Sequence, residues 1–301
     1  MNPWIEAMRL RTLPTGIAGV VGGTACAIYH DGFKVLPFLI CLFFAIIAQI
    51  VSNFANEYYD YKNGFDKKGR EGYRRGVTEG DISPQAMKRA TYLLLILDAA
   101  LGCSLIVWGG WWLVFVGIAV AIFALAYSTG PYPLSHHGLG DIAVIVFFGF
   151  VPVIFTEYVQ TQNFPLDGVS WFTGAAIGLM AANVLIVNNY RDYEDDKGVG
   201  KNTTVVIFGR KAMSGVYLFN GVMAAILLAM ASSACQFWVS AGWISYIAFH
   251  FTLWTGLKSR SGAALNPILK FTSILLLAVT IYLLIIFCLP RPESTQFFLF
   301  P

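Results

Sequence analysis

The stretch Asn53-Phe54-Ala55-Asn56-Glu57-Tyr58-Tyr59-Asp60-Tyr61-Lys62-Asn63-Gly64-Phe65-Asp66 decides how this chain is read. It is a polar, acidic ending to an apolar run that begins near Val35. On a helix of about 3.6 residues per turn, Asn53, Asn56 and Asp60 are spaced by three and four, so they share one face and leave Asp60 at its edge. Gly64 then frees the chain to turn and bring Asp66 back.

A second ending of this kind lies far downstream, Asn188-Asn189-Tyr190-Arg191-Asp192-Tyr193-Glu194-Asp195-Asp196-Lys197-Gly198-Val199-Gly200-Lys201. Asn188, Asp192 and Asp196 are spaced by four, and Gly198 and Gly200 break the helix behind them. Both endings run through amide, carboxylate, glycine turn and lysine, and they read as two halves of one site.

Around these endings, 57% of the 301 residues are hydrophobic and only 12% are charged, against about 25% charged in an ordinary soluble domain. Such a chain cannot hide its apolar surface from water, and apolar runs of about 18 residues or more can cross a bilayer core. Nine candidates lie roughly at 13–30, 36–58, 91–108, 111–129, 141–158, 170–190, 213–231, 238–256 and 268–289, the third and fourth separated only by Gly109-Gly110. The expectation is an all-α polytopic membrane protein of nine spans.

Charge placement supports that count, because cytoplasmic loops collect Lys and Arg. With the N-terminus inside, the inner segments hold 18 of the 20 basic residues, and only Lys34 and Arg291 fall outside. This puts the C-terminus outside and both acidic endings on the cytoplasmic face. The net charge of +3 does not point to nucleic acid, since no basic patch is interleaved with stacking aromatics. Cys26, Cys41, Cys103, Cys235 and Cys288 form no Cys-x-x-Cys pair and read as packing residues.

Residues 1–12 read as an amphipathic lead-in at the inner interface with Trp4 as its anchor. Arg9 and Arg11 are either plain positive-inside charges or, for Arg11, a group pointing into the site. In the loop 59–90, the spacing Arg70-x-Gly72-x-x-Arg75 puts two guanidinium groups near the carboxylates, and guanidinium forks suit phosphate oxygens. Asp98, inside the third span, is either a functional group or one hydrogen-bonded to a neighbouring helix. Asp141 is a helix cap or faces the cavity. The adjacent His136 and His137 point apart and read as loop residues; Glu157, Tyr158 and Gln160 read as interfacial at the outer end, and His250 as satisfied within the bundle.

Paired carboxylates with amides and basic groups around them attract hard cations, and Mg²⁺ is commonly shared between protein carboxylates and substrate phosphates. Asp60, Asp66, Asp192 and Asp196 match two metals bridging a diphosphate, whose charge on leaving carbon is compensated in advance. An allylic diphosphate would ionise there, its apolar tail held in the cavity behind. Acidic helix ends also serve cation-coupled carriers, but those usually place them near the bilayer midplane on broken helices; here both lie at one face beside excess arginine, which favours an enzyme.

At these residues the sequence resembles the UbiA superfamily of intramembrane prenyltransferases, and within it the 1,4-dihydroxy-2-naphthoate polyprenyltransferases of menaquinone synthesis. The resemblance is carried by Arg9-Leu10-Arg11-Thr12-Leu13-Pro14, the Asn53–Asp66 stretch, Arg70-x-Gly72-x-x-Arg75, Gly130-Pro131-Tyr132-Pro133-Leu134 with Gly138-Leu139-Gly140, and the block from Asn188 to Lys201. Glu57 stands where the family commonly has Asp, and Tyr73 where it commonly has Pro. The resemblance implies one prenyltransferase domain over residues 1–301 in a bacterial cytoplasmic (inner) membrane, its nine helices around a central cavity capped by loops at about 59–90 and 191–211. It further implies Mg²⁺-dependent transfer of a polyprenyl group from polyprenyl diphosphate to an aromatic acceptor, dihydroxynaphthoate, with loss of the carboxylate and release of diphosphate. Implied metal ligands are Asp60, Asp66, Asp192 and Asp196; Asn56 joins Asp60, Asp192 and Asp196 in the catalytic set. Asn53, Asn188, Arg70, Arg75, Arg191 and Lys201 are the implied diphosphate contacts.

Overall fold

In the computed structural model, which describes residues 2–69, 72–233, 235 and 239–290, the apolar runs are helices almost throughout. Arg70 and Arg291 lie outside the described residues. The lead-in is a short helix α1 (Pro3–Met8), followed by α2 (Leu13–Tyr29), α3 (Val35–Lys62), α4 (Pro84–Ser104), α5 (Leu113–Ala126), α6 (Gly140–Thr161), α7 (Gly168–Arg191), α8 (Thr204–Ala231), α9 (Val239–Lys258) and α10 (Asn266–Cys288).

Seven helical segments among the described residues are long and apolar enough to cross a membrane. Helices stand at the other two expected spans as well: α5 has 14 residues, and α9 has 20 but carries Ser245, His250, Thr252 and Thr255 along its length. The count of nine crossings is therefore not reached on length and apolarity alone. At about 1.5 Å per residue, α5 measures about 21 Å against a bilayer core of about 30 Å. The expected break at Gly109-Gly110 is present, with Gly110 at φ +80°.

Helix α2 lies at the centre of the packing and touches α3, α6, α7 and α10, while α7 also lies along α8 and α10. Without water to drive apolar faces together, helices in a bilayer gain from close backbone approach at small residues. Gly19 faces Pro152 and the Phe148 carbonyl, Gly23 faces the Val153 carbonyl, and Gly149 of α6 abuts Gly174 and Gly178 of α7.

Helix α6 is not regular. Residues Ile145–Phe150 form a π turn immediately before Pro152, which has no N–H to return to the Phe148 carbonyl. The extra residue in this turn brings both Phe147 and Phe148 to the apolar cavity between α2, α3, α5 and α6. A second cavity, lined by α2, α3, α5, α6, α7 and α10, adjoins it, and the two share Gln49, Ser52, Phe123 and Phe148. One chamber is dry and the other polar; they meet at those four side chains.

Candidate active site

Helix α3 stops where its polar face begins to matter. Its last turn is closed by Phe65 N–H donating to the Asp60 carbonyl at 2.8 Å, with Gly64 at φ +76°, the left-handed cap that glycine adopts without strain. Helix α7 ends in the same manner one short turn later: Lys201 N–H donates to the Asp196 carbonyl at 2.8 Å, and Gly200 sits at φ +74°. Both glycine turns expected from the sequence are present.

The two endings meet. Lys201 Nζ lies 3.1 Å from Asp60 Oδ2 across 141 residues. Asn56 Nδ2 donates to the same oxygen at 3.0 Å and to Ser128 Oγ at 3.1 Å. On the second ending, Arg191 covers both oxygens of Asp192 (2.6 and 2.8 Å), and its Nη2 also donates to Asn188 Oδ1 at 2.9 Å. Asn53, Asn56, Arg75, Asn188, Asp192, Asp196 and Lys201 all line the polar chamber. Asp66 is joined to it through Arg75, whose Nε lies 3.5 Å from Asp66 Oδ2.

Two residues carry bonds that narrow their part in the site. Asn53 Nδ2 donates to the Met8 carbonyl at 3.0 Å and so holds the lead-in against α3. Glu57 is buried and its Oε1 accepts from the Val77 N–H at 3.0 Å, anchoring the short turn Gly76–Glu79 in the cap. The longer arm of Glu57 is spent on the cap's backbone.

Three contributors escaped the sequence reading. His136 is buried and its Nε2 lies 3.2 Å from Asp60 Oδ1, its ring edge-on to Phe65. It gets there because Asn202 N–H donates to the His136 carbonyl at 3.2 Å, stitching its loop to the strand of chain beyond Lys201. Arg9, with a left-handed φ of 52°, sends Nη2 to Asn56 Oδ1 at 2.6 Å, where Arg75 also arrives at 3.3 Å. Tyr73 meets the guanidinium groups of Arg11 and Arg191. The adjacency of two histidines pointed away from a shared metal, but it did not exclude one of them bonding a carboxylate.

Elsewhere the outer-end residues differ from expectation. Glu157 and Gln160 are buried, not interfacial, because Gln160 Nε2 donates to Thr24 and Glu157 Oε1 is 2.8 Å from His30 Nδ1. His30 Nε2 is 3.2 Å from Asp167 Oδ2, so one imidazole bridges two carboxylates. The hydrogen bonds from Asp167 and then Glu157 push the His30 pKa up to about 10. These three groups have metal-ligand chemistry; the imidazole already meets one oxygen of each carboxylate, and Glu157 Oε2 has no hydrogen bond among the described residues. His250 is satisfied within the bundle, 3.0 Å from the Tyr217 carbonyl. Asp141 accepts from Thr204 Oγ1 at 2.5 Å, and Asp98 is buried with Oδ1 lacking a hydrogen bond.

The donor set suits a hard divalent cation. Asp192 and Asp196 line the chamber with the amides of Asn53, Asn56, Asn188 and Asn189, Asp60 joins them through Lys201, and no thiol is among the described lining residues. Arg9, Arg75, Arg191 and Lys201 stand around them as donors for a multiply charged anion.

A multi-spanning helical bundle whose acid- and arginine-lined chamber opens into a dry one defines an intramembrane enzyme for amphiphilic anions. Residues 13–275 match the family described as the UbiA prenyltransferase family, and the chain belongs to it. It is a prenyltransferase. The chain is 33% identical over 303 residues to the 1,4-dihydroxy-2-naphthoate octaprenyltransferase of Haemophilus influenzae, covering 93% of this chain and 94% of that protein. It is 39% identical over 212 residues, 68% of each, to the protein of the same name from Escherichia coli. Its fold is similar to that of a UbiA homolog from Archaeoglobus fulgidus bound to GPP and Mg²⁺, with a TM-score of 0.67 at 16% identity over 94% of this chain and 99% of that one.

Proposed function

We propose that this protein, as one domain over residues 1–301, transfers a polyprenyl group from polyprenyl diphosphate to 1,4-dihydroxy-2-naphthoate. The allylic C–O bond breaks with its electron pair leaving on diphosphate, a ring carbon forms the new C–C bond, and the carboxylate departs as CO₂ to give demethylmenaquinol. The names of the relatives that align over most of the chain support this acceptor. The observation that carries the reading is the meeting of the two helix ends through Asp60 and Lys201, at a polar chamber that adjoins an apolar one.

Asp60, Asp66, Asp192 and Asp196 would hold Mg²⁺, and a UbiA homolog of similar fold bound to GPP and Mg²⁺ supports a divalent metal here. The metal supplies charge compensation for the departing diphosphate. Arg191 and Lys201, now on Asp192 and Asp60, would pass to the phosphate oxygens together with Arg75 and, from outside the described residues, Arg70. Asn56 and Asn188 orient these groups through Arg9, Arg75 and Arg191. Phe123, Phe147 and Phe148 exclude water from the developing cation and line the tail's path. The positive-inside layout supports a site on the cytoplasmic side of a bacterial inner membrane.

The test is purified protein in detergent with Mg²⁺, one prenyl diphosphate and a panel of aromatic acids. Diphosphate release that requires dihydroxynaphthoate supports the reading. A carrier would show no turnover without a sealed vesicle, and another preferred acid would replace the acceptor while keeping the enzyme.

A further inference from the structure

The Tyr73 ring meets two guanidinium groups, Arg11 with Cζ 2.9 Å from its centroid and Arg191 with Cζ 4.7 Å from it. The two arginines differ in what else they do. Arg191 is committed to Asp192, Asn188 and Asn266. Arg11 is half-buried, and among the described residues its guanidinium has no carboxylate, carbonyl or hydroxyl partner. A cation withdrawn from water without an anion is costly, so a group that leaves it so is set up for an incoming one.

Its position says which anion. Arg11 and Tyr73 line the polar chamber and also a separate groove between the lead-in and α10, whose other walls include Leu10, Phe271, Lys270 and Glu6. Arg9, Arg75 and Lys201 crowd Asn56 and Asp60, whereas Arg11 lies against the Tyr73 ring. The groove side therefore offers one guanidinium fork and one flat ring beside apolar Leu10 and Phe271, with one ammonium (Lys270) and one carboxylate (Glu6) also on its walls, a set of low net charge that suits a planar aromatic carboxylate better than a diphosphate. Residues 73–75 have no regular secondary structure, so the ring can shift without breaking a helix.

We infer that Arg11 and Tyr73 recognise the acceptor, an inference that rests on the aromatic-acid reading above. The guanidinium moves off the ring to take the acceptor's carboxylate as a two-pronged pair, and the ring face it vacates stacks on the acceptor's own ring. Arg11 thereby selects for acids over neutral phenols of the same shape, and Tyr73 for a flat aromatic ring.

The experiment compares 1,4-dihydroxy-2-naphthoate with 1,4-dihydroxynaphthalene, which lacks only the carboxylate, using the full chain in detergent. Arg11→Gln should raise KM for the acid by about tenfold or more while shifting that for the neutral diol less than about twofold. Affinity for a non-ionising prenyl thiolodiphosphate, measured by calorimetry, should stay at the wild-type value. Tyr73→Leu should raise KM for both acceptors, and Tyr73→Phe should restore it. An equal effect of Arg11→Gln on both acceptors, or weakened thiolodiphosphate binding, overturns the inference while leaving the acceptor reading intact. Wild-type protein that binds thiolodiphosphate but turns over no aromatic acid overturns the acceptor reading itself, and this inference with it. If Arg11→Gln does not fold, Arg11→Lys serves: it keeps the charge, loses the fork, and should raise KM for the acid alone.

Discussion

Asp60 is touched from three directions, by His136, Lys201 and Asn56, and Asp192 by both prongs of Arg191. Neutralising either carboxylate removes the charge that Lys201 or Arg191 now faces and, on the proposed function, an oxygen that would hold the metal. Asp60→Asn and Asp192→Asn should each lower turnover by about 10²-fold or more, measured as diphosphate release, while the detergent-extracted protein keeps its helical circular dichroism. Glu57→Ala should act differently, because its bond is to the Val77 N–H. A buried backbone donor left without its acceptor costs about 1–3 kcal/mol, read as a lower thermal midpoint with the cap more open to protease. The partners of Asp60 also show where residue-level reading stops. Asn56 and Asp60 were visible because helix period links positions three and four apart, whereas His136 reaches Asp60 across 76 residues through a loop with no period at all.

At the scale of elements, helix ends and glycine turns were legible, and irregularities inside helices were not. The Gly64 and Gly200 turns follow from residue type alone. The π turn at Ile145–Phe150 does not: Pro152 marks a break, but the direction of the bulge is set by the close face between Gly149 and α7. A Cβ on Gly149 would sit 2.6 Å from Gly178 Cα, and a backbone on the far side cannot yield as a side chain would. Gly149→Ala should therefore destabilise by about 1–3 kcal/mol, seen as a lower unfolding midpoint in detergent, and should disturb the placement of Phe147 and Phe148. The α9 span was the harder element to judge, since helix period does not distinguish a helix within a bundle from one that crosses it.

For the whole molecule, the two ends of the bundle carry opposite tasks. At the end away from the aspartates, His30 ties α2 to Glu157 of α6 and to Asp167 at the start of α7. Its folded pKa of about 10 exceeds the unfolded value of about 6.5. The protonated form is thus the one folding favours, and the stability this clasp adds is fully present below about pH 6.5 and lost as pH rises toward about 10. The thermal midpoint should fall over that window in wild type and fall less in His30→Gln. Between the two ends runs the dry chamber, where Gly117 faces open space. Gly117→Phe should shift preference toward shorter prenyl diphosphates, measured by competition between donors of graded length.

Helix α5, which walls that chamber, is only 14 residues long, and exposed Trp111, of a type that favours the headgroup level, stands just before it. Lipid around this flank must pinch inward to meet it, at a modest cost for each ångström of mismatch. Host membranes with longer or more ordered acyl chains will resist that pinch. The rate at which prenylated product slides sideways out of the protein should then depend on lipid chain length, so that one polypeptide turns over faster in thin vesicles than in thick ones.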